Sequence, residues 1–419
     1  MSPAGEELKM AAKVSPSSWE DLPPVLLGGV LQCLPSLADR VRVRAVCRPW
    51  RAGAQPQRHS LPPPLPWLAF RDGSLVDLQG SPVHCPSILR KDALTEVFGY
   101  LAFDNLAFLV DHDGTCSLSN PITGETLPLT KLAPAVRRAI DGSRAYGRAY
   151  IQKGYVKAII SSPLDLMPDP LVAVLILEGY SLAISKQHDA VCISMPPELE
   201  KATGSAMIDD IAFLHGKLYA LTPHEGLYLI ELDASRLSEL KSSSCFRQCI
   251  ADDPKQQEIY STNKHHPGSE YLVMRYLAES NGRLLLIRRW MFIPQNARLG
   301  DHDRTFRFEV FVADLATVPG RWTKVDSFGG QALFLGSECS KSVLASQCAD
   351  GIEEDCIYFM HRVFDNPCRE HFGPCADPLA DSGVYNMRNG EFKPLVPDAV
   401  MAELKRKRQF LTWFFPADE

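Results

Sequence analysis

No apolar run in this chain is longer than the seven residues LVAVLIL at 171–177. A helix that spans a bilayer needs about 20, so no membrane-crossing helix is expected, and that run reads as one buried strand. The 12 cysteines are scattered without a repeating spacing, which points to reduced thiols of the cytosol or nucleus rather than a disulfide framework. There is no Gly-x-Ser-x-Gly elbow, no Gly-x-x-x-x-Gly-Lys phosphate loop and no His-Glu-x-x-His pair. Positive charge is not in excess: the net charge is −6, so neither nucleic acid nor an anionic membrane is expected as a partner. Residues 1–17 hold acids, lysines and prolines but no apolar run. They read as a disordered leader and not as a secretory signal.

What the chain has is room and turns. Its 419 residues, 45% of them hydrophobic, are enough for a large core and two domains. Thirty-two prolines and 27 glycines argue against a helical bundle.

Residues 18–60 carry the one clear helical pattern of the N-terminal half. Asp21 is placed to cap a helix whose first turn holds Pro23 and Pro24. Leu22, Leu26, Val30 and Leu34 recur every fourth residue, beside Leu27 and Leu31, as an apolar stripe. Gly28 and Gly29 sit inside it, and each costs about 1 kcal/mol relative to alanine. A second helix is expected from Ser36, with Asp39 completing a capping box. Leu37, Val41, Ala45 and Val46 form its inner face, Arg40, Arg44 and Arg48 stack on another, and Pro49 ends it. Between Trp19 and Ser60 six arginines face three acids, a net +3 that leaves −9 for the rest of the chain. A short basic unit in an acidic protein fits an acidic partner; a solvated arginine face is the plainer alternative.

The stretch WEDLPPVLLGGVLQCLPSLADRVRVRAVCRPWR, residues 19–51, resembles an F-box. The family pattern of two Leu-Pro steps, helically spaced apolar positions, Arg, Val-Cys and Trp-Arg is matched here. The matching residues are Leu22-Pro23, Leu26, Val30, Leu31, Leu34-Pro35, Leu37, Arg40, Val46-Cys47 and Trp50-Arg51. In that family the unit docks on the Skp adaptor of cullin-based SCF ubiquitin ligases. The resemblance implies adaptor contacts from Leu22, Pro23, Leu26, Leu27, Val30, Leu31, Leu34, Pro35, Leu37, Arg40, Arg44, Val46, Cys47 and Trp50. The arginines would meet an acidic adaptor surface and Trp50 would plug the small unit's core. Gly28-Gly29 departs from the family, whose members carry helix-favouring residues there more often, and this bears on binding strength.

A proline-rich hinge, residues 61–66, leads into a different texture. Residues 67–419 contain many short apolar, aromatic or β-branched runs. Asp72-Gly73, Asp113-Gly114 and Asn281-Gly282 mark hairpins, with His215-Gly216 a weaker signal. About eighteen strands are too many for one sandwich, and blades of roughly 40–50 residues predict a β-propeller of seven or eight blades. The segments SNPITGETLPL, IDDIAFLHGKLYALTPHEGLYLIEL, YLAESNGRLLLIRR, FEVFVADL, RWTKVDSFGGQALFLG and CIYFM occur in this order. Together they resemble the KIB-type β-propeller that follows the F-box in a large family of flowering-plant proteins. The resemblance implies a propeller that holds the substrate. The expected fold is a small all-α F-box unit followed by a large all-β domain.

Other chemistry is weaker. Cys368, His371 and Cys375, with His361 upstream, lack the tight cysteine pair of a zinc site, so no metal is expected. Asp209, Asp210 and His215 could do acid–base work, but bracing a strand end suits the aspartates better. Gly329-Gly330 resembles the paired glycines of kelch blades, and a bulge or close strand packing explains it equally well. KRKR at 405–408 is either a nuclear address or the polar face of a terminal helix whose apolar members are Val400, Leu404 and Leu411; the helix is preferred. Trp413, Phe414 and Phe415 are expected in a strand that closes the ring against the first blade.

The expected function is a substrate receptor of an SCF-type ubiquitin ligase, in cytoplasm or nucleus. It would bind a Skp-type adaptor, through it cullin, and a target protein, with no catalytic residue, metal or cofactor. The substrate-binding residues are not legible. The rivals are a propeller enzyme acting on a glycan or other small substrate, and an F-box protein with a non-degradative role.

Overall fold

The computed structural model describes residues 19–34, 36–70, 72–83, 97–111, 115–134, 136, 156–162, 170–176, 181–186, 189–196, 199, 207–233, 237, 245–253, 271–292, 304–336, 338–348, 351–360, 377, 379–407 and 411–416. The chain divides into two compact units at Pro64 and Leu65, within the stretch 61–66 read as a hinge.

The first unit is helical. Its helices are α1 (Pro24–Gln32), α2 (Leu37–Ala45) and α3 (Arg48–Ala54), and a 3₁₀ stretch Gln55–Ser60 follows. Leu27, Leu31 and Ala54 form the core, with Leu22, Leu34, Val43, Trp50 and Leu61 packed on it. The local signals fare unevenly. Pro23, not Asp21, is the residue before α1, and Asp21 ends a short 3₁₀ turn begun at Trp19. Ser36 precedes α2, but its side chain makes no capping bond. Asp39 instead accepts Arg42 Nη1 at 2.6 Å, so the capping box does not form. Pro49 does not end the second helix, which stops at Ala45; it lies in the first turn of α3, where a missing N–H costs nothing.

The second unit is a propeller of six blades, not seven or eight. Blade 1 holds β1 (Trp67–Phe70), β2 (Leu75–Val76) and β3 (Pro82–Val83). Blade 2 holds β4 (Val97–Phe103), β5 (Leu106–Asp111), β6 (Cys116–Ser119) and β7 (Thr126–Pro128). Blade 3 holds β8 (Val156–Ile160), β9 (Val172–Ile176), β10 (Ser181–Lys186) and β11 (Asp189–Ser194). Blade 4 holds β12 (Asp210–Leu214), β13 (Lys217–Leu221), β14 (Leu227–Ile230) and β15 (Phe246–Ile250). Blade 5 holds β16 (Tyr271–Ser280), β17 (Arg283–Phe292), β18 (Arg304–Asp314) and β19 (Arg321–Val325). Blade 6 has five strands: β20 (Gln331–Leu335), β21 (Ser340–Leu344), β22 (Cys356–Phe359), β23 (Gly383–Asn386) and β24 (Phe392–Lys393). Their spatial order is β21-β20-β22-β23-β24, with β20 and β22 parallel.

Helix α4 (Asp398–Arg406) then leads to β25 (Leu411–Phe414), which pairs antiparallel with β1. Trp413 lies opposite Leu68 and Phe414 opposite Trp67, so the last strand closes the ring as expected. Leu411 belongs to that strand and not to the terminal helix. Around the centre, β25, β4, β8, β12, β16 and β21 neighbour one another in turn. The hairpin signals at 72–73, 215–216 and 281–282 each sit between antiparallel neighbours. His215 and Gly216 (φ 49° and 71°), like Asn281 and Gly282 (φ 49° and 72°), have the two positive φ values of a type I′ turn. Asp113-Gly114 lies outside the described residues. Gly329 and Gly330, both at positive φ, lie in the link from β19 to β20 rather than in a bulge.

Candidate functional site

Helix α1, PVLLGGVLQ, contains no charged residue. Leu27 and Leu31 on one face fill the core of the helical unit, at 1% and 0% exposure. Leu26 and Val30, four apart on another face, are 58% and 44% exposed, and Val25 beside them is 78% exposed. A helix that is apolar all round belongs in an interior, and this one has solvent on half of it. Ten large apolar side chains are exposed among the described residues; six of them, Trp19, Val25, Leu26, Val30, Val41 and Val46, lie in this small unit.

The structure thus divides the residues expected at the adaptor. Pro23, Leu26, Val30 and Val46 are exposed; Leu22, Leu34, Arg44, Cys47 and Trp50 are half-buried; Leu27, Leu31 and Leu37 are core. Pro35 lies outside the described residues. Arg40 is a correction. It is wholly buried, donating from Nε to the Leu34 carbonyl at 2.8 Å and from Nη1 to the Pro62 carbonyl at 2.7 Å. It ties the α1–α2 turn to the following hinge, so the expected stack of Arg40, Arg44 and Arg48 on one exposed face does not form. Val41, read as inward, is 50% exposed. Trp50 packs on the core as expected and donates Nε1 to the Trp19 carbonyl at 2.7 Å. Val25 and Trp19 were missed; neither falls on the every-fourth-residue stripe.

The propeller's candidate acid–base groups are not brought together. Asp210 starts β12, buried, and His215 is exposed at the turn beyond its other end. Asp210 braces three blades. Its Oδ1 accepts Lys157 Nζ of β8 at 2.5 Å, and its Oδ2 accepts the Leu277 N–H of β16 at 2.8 Å. Asp209 donates its N–H to the Leu221 carbonyl at 2.8 Å.

Blades 4 and 5 are joined by Glu225, buried at φ 64° in the turn before β14. Its carboxylate accepts Nε of Arg275 and Nε of Arg288, each at 2.7 Å, and its carbonyl accepts Trp322 Nε1 at 2.7 Å. Blades 5 and 6 are joined by Arg289, fully buried, which bonds Thr305 Oγ1, the Met360 carbonyl and Asp381 Oδ2 at 2.6–2.7 Å. These buried polar groups act as cross-blade ties with their acceptors filled.

Among the described residues no group of three or more His, Cys, Asp or Glu could hold a metal. His361, Cys368, His371 and Cys375 lie outside those residues. Of the basic run at 405–408, Lys405 pairs with Asp377 at 2.7 Å, Arg406 with Glu403 at 2.5 Å, and Lys407 bonds Ser74 Oγ at 2.8 Å. Arg408 is outside the described residues. The three described side chains are spent on their own unit, which fits the polar face of a terminal helix.

The family model described as KIB1-4 beta-propeller matches residues 76–386, about three quarters of the chain. The chain belongs to the KIB1-4 β-propeller family. Two Arabidopsis thaliana proteins are similar over nearly its whole length. One, named "Putative F-box protein At5g55150", is 23% identical, covering 85% of this chain and 89% of its own. The other, "F-box protein SKIP23", is 22% identical, covering 90% of each. Together these findings support the expected pairing of an F-box with a KIB-type propeller. A solved structure, YCF48 from Cyanidioschyzon merolae, matches at 9% identity and a TM-score of 0.25, covering 55% of this chain and 73% of that one. No helix among the described residues is long and apolar enough to cross a membrane.

Proposed function

We propose that this KIB1-4 propeller protein is the substrate-recognition subunit of an SCF-type ubiquitin ligase. The helical unit binds a Skp-type adaptor, through it cullin, and the propeller holds a target protein. One observation carries the reading: α1 has two apolar faces, and only one is covered by its own unit, leaving Leu26 and Val30 in solvent. Covering that second face on a partner removes apolar area from water at about 25 cal/mol per Å². Both relatives are named F-box proteins, which supports the same docking. The role is that of a tether. Holding target lysines beside a charged conjugating enzyme raises their effective concentration, and the chain supplies no nucleophile to the transfer.

Co-expression with a Skp-type adaptor and the N-terminal half of a cullin, followed by gel filtration, tests the assembly. Co-elution of all three is expected. Elution of this chain as a free species beside an intact adaptor–cullin complex contradicts the proposal.

A further inference from the structure

Counted over the strands alone, blade 1 with β25 is neutral, blade 2 carries −1, blades 3 and 4 carry +1 each and blade 6 carries +2. Blade 5 carries +5, eight arginines and lysines against three acids, in a chain whose net charge is −6. Two of the eight, Arg275 and Arg289, are fully buried on Glu225 and Asp381. Others reach the surface together.

Arg307 and Lys324, with side chains 50% and 59% exposed, converge on the buried carboxylate of Glu309. Lys324 Nζ lies 2.7 Å from it, and Trp290 Nε1 donates to it at 3.0 Å. The Arg307 guanidinium lies over the Trp290 ring at 5.8 Å. The β17–β18 register shifts between Trp290 and Met291, which inserts Phe306 beside Arg307 and leaves it 45% exposed. Bulges of this kind re-aim side chains.

We propose that Trp290, Phe306, Arg307 and Lys324 dock an acidic segment of a protein partner. Resting on the receptor reading, that partner is the target. Arginine and tryptophan are the side chains that most often dominate protein interfaces. Arg307 offers five N–H donors and Lys324 three, more than one carboxylate accepts. Glu309 is the resident anion: it holds both cations in place, and an incoming carboxylate shares their remaining donors. Charge complementarity of this kind favours encounter with an acidic chain.

The probe is a labelled peptide of about twelve residues, alternating Glu or Asp with Leu, titrated into the full chain and followed by anisotropy. Its Gln/Asn counterpart and a single-stranded DNA of equal length are the comparisons. The acidic peptide is expected to bind, with affinity falling as salt rises. Arg307→Gln with Lys324→Gln weakens it about tenfold, and Glu309→Gln, which removes the negative charge facing both cations and Arg288 3.7 Å away, tightens it several-fold. Opposite shifts from two variants cannot both arise from misfolding. Equal binding of the Gln/Asn peptide, an unmoved double variant, or equal binding of the DNA overturns the proposal. Adaptor co-elution of the same variants separates the two readings. Retained co-elution with unmoved peptide affinity sinks the patch alone; expected peptide binding without co-elution sinks the receptor reading alone.

Discussion

Lys157 and Asp210, 53 residues apart, meet at 2.5 Å with both side chains 6% exposed, joining the innermost strands of blades 3 and 4. The second Asp210 oxygen reaches the backbone of β16, so one carboxylate spans three blades. Removing one partner of a buried pair leaves an uncompensated charge, at a cost of about 3–5 kcal/mol. Asp210→Ala is expected to lose that much in urea unfolding. Lys157→Met in the same background should recover part of it, because the orphaned ammonium is gone. A loss below about 1 kcal/mol, the scale of an exposed pair, contradicts the tie.

The ring closes through β25, and Trp413 is its fully buried anchor, with Nε1 on the Leu335 carbonyl at 3.2 Å. Trp413→Ala is expected to cost roughly 3–5 kcal/mol, as for large aromatic deletions in cores. Thermal unfolding followed by tryptophan fluorescence and by circular dichroism measures it, and the two probes should shift together.

The paired glycines of α1 are not equivalent. A Cβ on Gly29 meets nothing within 4 Å, whereas one on Gly28 meets the Gln57 side chain at 2.9 Å. Gly29→Ala is therefore expected to stabilise the helical unit by up to about 1 kcal/mol. Gly28→Ala gains less, since Gln57 must move. Equal effects in hydrogen exchange of residues 24–32 contradict this distinction.

Burial pushes the Glu309 carboxyl up, but bonds from Lys324, Arg307 and Trp290 outweigh it and hold the pKa at about 2, against an ordinary 4.5. Burial likewise opposes Asp381, yet Arg289 and Thr305 hold it below its ordinary 3.8. A depressed native pKa contributes stability that is full above the unfolded value and is lost as pH falls toward the native one. The stability difference between wild type and Glu309→Gln should be constant above about pH 5.5 and shrink toward pH 2. A difference independent of pH over that range contradicts the assignment.

Much of this protein could be read in its sequence, and the failures have physical causes. The closing strand was legible because Trp413 to Phe415 form an aromatic run at the end of the chain, where a propeller's last strand meets its first blade, although the strand itself ends at Phe414. The turns at His215-Gly216 and Asn281-Gly282 were legible because few residues tolerate positive φ. The blade count was not. Dividing 359 residues by a standard blade assumes short connections, whereas six blades take about 60 each and blade 6 carries a fifth strand through a parallel crossover. Arg40 was misread because spacing shows which residues share a face, not that two backbone carbonyls, Leu34 and Pro62, wait inside to accept a guanidinium. The cross-blade ties of Glu225 and Asp381 leave no local signal at all, since their partners lie 50 to 97 residues away.

The central claim is that the open face of α1 is an adaptor-docking surface. Leu26→Asp with Val30→Asp places two charges on that face and leaves the Leu27–Leu31 core untouched. Calorimetric titration of a Skp-type adaptor into wild type and double variant, with circular dichroism to confirm the fold, tests it most directly. The account predicts a fall in affinity of a hundredfold or more, about 2.8 kcal/mol, with the fold unchanged. A folded double variant that binds the adaptor as tightly as wild type contradicts it.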